Sequence, residues 1–495
     1  MKIKTTLFIA LVAFFGCTLA FAEDSTAIQK PKSPKAKHHA VKKANSINNV
    51  SYSSVSYRTQ TLENEVQSLK EQVKTLQDAQ QMTTSGTPYM KTLVEMYAHG
   101  PAVVTSPALG VRRAAEDASD LMVSLPSVNE DLQLLDIRKR MEDYAMSNNI
   151  PIPERPIIAL SGGVEGQGIY AENFNNNRSD GMFDLSRAEF DLVGEASPWA
   201  TAVMIFTYDN NRVANLPLVT NSRVQISRGF VTLGDLNKFP MYLTVGQMYV
   251  PFGNYGSYMV NNPPTYYLAK TKERAALLGF AKYGIYASVY GYKGEVTTFK
   301  TQDASRYLGV NVGYKFSKDK FSADVVFGYI GDIAESAGMQ SVFTNAAYGV
   351  NDALQHTVGG ASARVKLGLD RFTLIGEYES AVRSFAGQDM TFNHKGAVPK
   401  ALETELVYSF PILGKPNNIG IGYGRSWESL ALSIPEQDYF AVFSTSIFRS
   451  TIESIEFRHD INYKSTDTSS VGQCVIPSTP RRGRNVVTAQ IGIYF

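Results

Sequence analysis

The chain has 495 residues, with 48 Lys and Arg against 46 Asp and Glu, and is 44% hydrophobic, 11% aromatic and 19% charged. Balanced charge excludes a general nucleic-acid binder, and abundant Tyr, Phe and Gly with few charges exclude a disordered chain. Past the N-terminus no apolar run reaches the roughly 18 residues of a membrane helix, so helical spans are excluded too.

Residues 1–22 read as a secretory signal peptide. Lys2 and Lys4 precede the apolar stretch from Leu7 to Phe15, and Ala20-Phe21-Ala22 forms a small-x-small cleavage site. A lipoprotein reading through Cys17 fits less well, because Phe14 stands where a Leu-like residue is usual. Removal of Lys2 and Lys4 takes the 48 basic residues to 46, equal to the 46 acidic ones. Cys474 is then alone, and no intrachain disulfide is expected.

Residues 23–60 are a basic flexible linker, centred on KPKSPKAKHHAVKK. Proline, lysine and small residues cannot bury a core, so a charged tether is the plain reading and contact with an anionic envelope polymer the functional one. His38-His39 in such a run does not make a metal site, and no metal or cofactor is expected elsewhere. Residues 61–80 place Leu62, Val66, Leu69, Val73 and Leu76 at 4-3-4-3 spacing, the seam of a short coiled coil. Such a seam needs a partner. Self-association into a homotrimer supplies one, and packing on another part of the chain supplies the alternative.

Residues 81–156 form a helical and linker region. Ser127 with Glu130 has the spacing of a capping box ahead of a helix over about 128–147, and the breaker run Ile150 to Pro156 marks its boundary.

From residue 157 to 495 the period changes to two. In 306–316, Leu308, Val310, Val312, Tyr314 and Phe316 face one way, and Tyr307, Gly309, Asn311, Gly313 and Lys315 the other. The terminal stretch aligns Val487, Ala489, Ile491, Ile493 and Phe495 in the same manner. Sixteen candidate strands run from 157–171 to 485–495, joined by connections that alternate long and short. A soluble sandwich also alternates apolar and polar residues, so periodicity alone does not give the sidedness. The loop asymmetry does: long loops at one end, short turns at the other, and an even strand number that lets the sheet close. Aromatics near strand ends, such as Phe316, Phe321, Tyr408 and Phe448, fit interfacial girdles. The expected fold is all-β: a 16-stranded antiparallel transmembrane β-barrel over 157–495, in the outer membrane and in contact with its lipid, with an N-terminal periplasmic helical and coiled-coil extension.

Sixteen strands leave room for an aqueous channel. Candidate pore-lining charges are Arg187, Glu189, Asp191, Arg364, Lys366, Glu377, Glu403, Glu405 and Arg425, with Arg223, Arg228, Glu379, Glu456 and Arg458 beside them. Simple lumen solvation accounts for each one singly. Their mixed sign lacks the basic ladder that phosphate selectivity needs. In the third long loop, PFGNYGSYMVNNPPTYYLAKT, Tyr255, Tyr258, Tyr266 and Tyr267 offer amphipathic faces for a solute if the loop folds inward. The last long loop carries Arg481, Arg482 and Arg484, which suit lipopolysaccharide phosphates or serve as ordinary surface charge. No G-x-S-x-G, H-E-x-x-H or P-loop is present, so catalysis is not expected. His459 lies among Ile455, Phe457 and Ile461, and Ser454 has the opposite strand parity, which makes a poor pair.

Four stretches carry a resemblance: LENEVQSLKEQV, SGGVEGQGIYAENF, DLSRAEFDLVGEASPWATAVMIFTYD and VGQMYVPFGNYGSYMVNNPPTYYLAKTKERAALLGF. They resemble the legiobactin-receptor type of siderophore porins of Gram-negative outer membranes. Gly246, Gln247, Pro251, Phe252 and Gly253 also resemble an element of phosphate-selective and other porins. The resemblance implies uptake of a ferric siderophore through a sixteen-stranded barrel without a plug or an energy-coupling box. The remaining readings are a general or anion-selective trimeric porin and, in another class, a structural or adhesive barrel whose loops bind a ligand.

Overall fold

The computed structural model describes residue 94 and residues 102–104, 128–152, 155–174, 178–209, 223–298, 306–318, 320–344, 353–412, 415–448, 451–480 and 482–495. The signal peptide, the linker and the coiled-coil positions Leu62, Val66, Leu69, Val73 and Leu76 lie outside them, as do Ser127 and Arg481.

Sixteen strands form the wall. They are β1 Ile157–Glu172, β2 Ser179–Ser197, β3 Ala200–Asp209, β4 Arg223–Leu233, β5 Met241–Tyr249, β6 Lys272–Lys282, β7 Ile285–Lys293 and β8 Arg306–Lys318. The second half comprises β9 Phe321–Ile330, β10 Gly360–Leu369, β11 Phe372–Ala381, β12 Lys400–Ile412, β13 Lys415–Trp427, β14 Gln437–Thr445, β15 Thr451–Ile461 and β16 Gly483–Tyr494. Each pairs antiparallel with the next, and β16 pairs with β1 from Gly163↔Tyr494 to Ala171↔Val486, closing the ring. Gly162 and Phe495 exchange both backbone hydrogen bonds at the end of that seam, at 2.7 and 3.0 Å. Beyond them Ile158 to Leu160 pair with a short parallel strand, Ala102–Val104, which covers the edge that β16 leaves.

Burial gives the sidedness that periodicity left open. Leu308 is 68% exposed, Phe327 61% and Val312 52%, whereas Arg364, Glu377, Glu403, Asp438 and Asp460 are buried. Apolar side chains face outward round the ring and most charged ones face in, the inverse of a soluble sandwich.

The short turns follow their backbone demands. Between β6 and β7 only Tyr283 (φ 55°) and Gly284 (φ 81°) intervene, and two left-handed residues in succession give a type I′ hairpin. A β-carbon on Gly284 would collide with the Lys315 carbonyl, so only glycine fits. At the other end the first connection is shorter than the expected 172–181, because β1 runs on to Glu172 and β2 starts at Ser179. Two later long loops join there in a four-stranded sheet, Met390–Phe392, Lys395–Gly396, Thr468–Val471 and Cys474–Pro477.

Three α-helices bear on the site: α1 Glu130–Ser147, α2 Pro264–Ala269 in the third long loop, and α3 Ala337–Phe343 in the fifth. The capping box at the start of α1 is corrected. Its N-cap is Asn129, which makes no side-chain capping bond, and the Glu130 carboxylate pairs with Arg228 of β4 instead.

Candidate functional site

The lumen is occupied by two segments of the chain itself. The first is α1, which lies against the inner wall near the short-turn end. Its Arg138 donates to Thr201 Oγ1 at 3.0 Å and to the Gly234 carbonyl at 2.5 Å. Asp131 accepts from Thr244 Oγ1 at 2.7 Å, and Glu142 pairs with Arg155 at 2.8 Å. Thr201 and Thr244 both belong to the buried, inward face of their strands. The barrel therefore differs from the plug-less one that the family resemblance implies: it holds one helix, though not a mixed domain.

The second is the third long loop. From the end of β5 it crosses to the far wall, where inward carboxylates accept its amides. Glu377 of β11 accepts from the backbone N–H of Asn254 at 2.6 Å and of Tyr255 at 3.0 Å. Glu405 of β12 accepts from Tyr258 N–H at 2.9 Å and from the Ser257 hydroxyl. Glu456 of β15 accepts from Val260 N–H at 2.6 Å and from the Asn261 amide at 2.7 Å. Arg364 donates to the Gly256 carbonyl at 3.2 Å. Ionised acceptors make stronger bonds than neutral ones, so three carboxylates hold the loop as clamps.

That folding decides the fate of the loop tyrosines. Tyr255 and Tyr258 are buried, the latter against Ile375 and Val407, so they present no free face to a solute. Tyr266 stacks edge-on with Tyr255 and Tyr267, and its hydroxyl accepts from Lys270 Nζ at 2.9 Å. Lys270 also lies 4.0 Å from the centre of the Tyr249 ring, a cation–π contact. Tyr267 alone of the four is largely exposed.

Most of the charge candidates face inward. Arg187 lies 2.9 Å from Glu189 and 3.6 Å from Glu165, and Arg228 lies 3.2 Å from Glu189. Asp191 accepts from Ser161 at 3.4 Å, and Lys366 stands opposite Asp324 and Ile375. Arg425 is the exception. It shares strand parity with the exposed Ile419 and Ile421, faces outward and stacks on Trp427 at 4.8 Å. Its charge suggested the lumen, but the period of two sets its side. His459 also faces outward, with Nδ1 2.8 Å from Asn485, while Ser454 bonds Ser444 on the inner face. Arg482 and Arg484 are paired with Glu436 and Asp460 at 2.8 and 2.7 Å, so neither stands ready for a phosphate.

A UPF0422 protein of Coxiella burnetii is 35% identical to this chain over 404 residues, covering 80% of the chain and 83% of that protein. The chain belongs to the UPF0422 family. A UPF0422 protein of Legionella pneumophila is 37% identical over 419 residues, covering 81% of this chain and 78% of its own length. No protein-family model matches. Among solved structures, this UPF0422 chain is similar to an anion-selective porin from Comamonas acidovorans at a TM-score of 0.47 and 13% identity, covering 69% of the chain and 100% of the porin. It is also similar to the outer membrane channel DcaP of Acinetobacter baumannii at 0.43 and 13%, covering 68% and 97%.

The UPF0422 barrel also uses inward groups that sequence reasoning missed. Glu165 accepts from Gln490 and from the Tyr494 hydroxyl across the seam, at 3.0 and 2.9 Å. Asp438 and Asp460 pair in register across β14 and β15. Asp460 is two positions from Arg458 and was accessible by parity. Asp438 emerges only once the neighbouring strands are aligned.

Proposed function

We propose that this chain is an outer-membrane porin, in which small solutes cross through the lumen of a closed β-barrel. One observation carries the reading: a continuous apolar outer surface encloses a wall of buried charge. Lipid requires every backbone polar group to be satisfied internally, which a closed ring does, and requires the apolar face outward. Long loops then lie outside the cell and short turns, with the N-terminal region, in the periplasm. Purified protein reconstituted in a planar bilayer tests it. Discrete conductance steps are expected, and their absence with correctly folded protein removes the porin reading.

The family resemblance points more finely to a ferric siderophore as solute. Iron acquisition by a deletion strain, with and without the gene restored, tests that reading, and equal growth on the ferric chelate would end it. A general porin is the second reading. The lumen charges bear on its selectivity: the wall from β10 to β15 carries Glu377, Glu379, Glu403, Glu405, Asp438, Glu456 and Asp460 against Arg364, Lys366 and Arg458, which favours cations over anions. A reversal potential measured in a salt gradient gives the sign. α1 and the third loop within the lumen also suit a barrel that conducts little and acts through its loops; such a barrel shows ligand binding without conductance steps.

A further inference from the structure

Five successive short turns each carry an exposed cation. Lys238 lies between β4 and β5, Lys282 ends β6, Lys318 ends β8 with Lys320 in the turn after it, Arg371 precedes β11, and Lys415 opens β13. The same turns and the residues flanking them hold three acids, Asp235, Asp319 and Asp370, against those six cations. Asp235 takes Lys238 at 3.6 Å, and Asp370 takes Lys320 at 2.9 Å. Lys415 gives its Nζ to the Ile447 carbonyl. Lys282, Lys318 and Arg371 form no salt bridge among the described residues, and they stand on three consecutive short turns.

Neighbouring aromatic rings set the depth of these charges. Phe316 and Phe321 face outward on either side of the β8–β9 turn with ring centres 6.2 Å apart, and Phe372 meets Tyr408 at 4.8 Å. Tyr283 is 85% exposed, with Lys282 Nζ 4.9 Å from its ring centre. Such rings settle at the boundary between hydrocarbon and headgroups. Lys282 is next to Tyr283, Arg371 is next to Phe372, and Lys318 lies two residues past Phe316 toward the turn. A strand rises about 3.3 Å per residue, and long basic side chains reach on toward water. The three charges therefore lie at the level of lipid phosphates, beyond the acyl chains.

We propose that Lys282, Lys318 and Arg371 form a docking surface for anionic phospholipid headgroups, of the phosphatidylglycerol type, in the leaflet at the short-turn end. An ammonium offers three donors and a guanidinium a planar fork, and both suit phosphate oxygens. Three cations spread over consecutive turns at one depth match a layer of headgroups, each lipid bringing one negative charge. The excess of basic over acidic residues in these turns supplies the attraction, which is strong for cations held at an anionic surface. The inference rests on the reading of the chain as a membrane barrel, since it takes lipid to stand against the aromatic girdle.

The test uses the purified full-length protein reconstituted in phosphatidylcholine vesicles. The chain has two tryptophans, so Trp199→Phe and Trp427→Phe clear the background and Tyr283→Trp places a fluorophore beside Lys282. Brominated acyl chains quench it on contact, and phosphatidylglycerol and phosphatidylcholine carrying them are compared. Phosphatidylglycerol is expected to occupy the face with about fivefold higher relative affinity, the worth of one basic residue at such a surface. Raised salt is expected to shrink the preference, and Lys282→Gln, Lys318→Gln and Arg371→Gln together to abolish it. Retained heat-modifiable migration in gels verifies that each variant is folded. Equal quenching by the two lipids overturns the proposal and leaves the membrane barrel standing. A preference that survives the three substitutions overturns it as well. Quenching by neither lipid removes the membrane reading and the docking surface together. Equal quenching with peptidoglycan sedimentation lost in the triple variant assigns the cations to that polymer instead.

Discussion

Glu130 of α1 and Arg228 of β4 meet at 2.9 Å, and the same guanidinium reaches Glu189 of β2 at 3.2 Å. One buried arginine thus ties the helix to two neighbouring parts of the wall. Removing one partner from a buried ion pair costs about 3–5 kcal/mol because the remaining charge is stranded. Arg228→Ala is therefore expected to loosen α1, raise single-channel conductance and speed amide hydrogen exchange over 130–147. Unchanged exchange and conductance in the folded variant would show that the helix is held by other contacts.

The third loop is fixed by amides given to Glu377, Glu405 and Glu456. A hydrogen bond to a charged group contributes about 1.5–3 kcal/mol. Glu456→Gln is expected to weaken the anchoring of Val260 and Asn261, seen as faster exchange of the loop alone. Deleting 254–267 is expected to raise single-channel conductance, and a deletion variant conducting like the wild type contradicts a constricting role.

Inward tyrosines lie over glycines of the next strand. The Tyr290 ring occupies the place of a side chain at Gly309, where a β-carbon would collide with its Cζ. Gly309→Val forces Tyr290 away, and overpacking of this kind costs about 1–3 kcal/mol. A lower thermal unfolding midpoint is expected, partly recovered by adding Tyr290→Ala. Two independent, additive losses would mean that the ring and the glycine are not coupled.

Asp332, in the fifth long loop, caps the following turn by accepting from Ala334 N–H at 3.0 Å. Burial pushes its carboxyl up to about 7, and burial also raises Glu335 beside it. A carboxyl raised in the folded state binds more protons there than in the opened state. It therefore favours the folded loop at low pH, and that contribution falls between about pH 4 and 7. Exchange protection of residues 331–344, corrected for intrinsic rate, is expected to decrease as pH rises from 5 to 8. Asp332→Asn is expected to flatten the profile.

Replacing Leu69 and Val73 by polar residues removes two of the five seam positions of the coiled coil proposed for residues 61–80. A homotrimer held by that seam is expected to dissociate, read by native mass measurement. A wild-type monomer rules out the seam as an assembly device.

The wall was legible because lipid-facing strands keep their apolar residues on one parity without interruption, as from Leu308 to Phe316. Turn chemistry helped less. Tyr283-Gly284 lacks the Asn or Asp that usually announces a type I′ hairpin, and only the glycine hints at it. Charge proved a weaker guide to sidedness than parity, as Arg425 demonstrates. The placement of α1 was not legible, since its polar residues suit water and the inner wall of a charged barrel equally. Glu130 had the spacing of a cap and serves as an ion-pair partner. That Asp438 faces Asp460 depends on the register of β14 against β15, and no local pattern encodes that.

The seam joins Glu165 to Gln490 and Tyr494, partners 325 and 329 positions apart. Closing so long a span adds little entropy beyond a shorter one, because the cost grows only with the logarithm of length. What it adds is delay. Until the first and last strands find each other the sheet has two bare borders, each a template for a stray chain. Pairing with a stray chain therefore competes with closure at both borders until the ring zips shut.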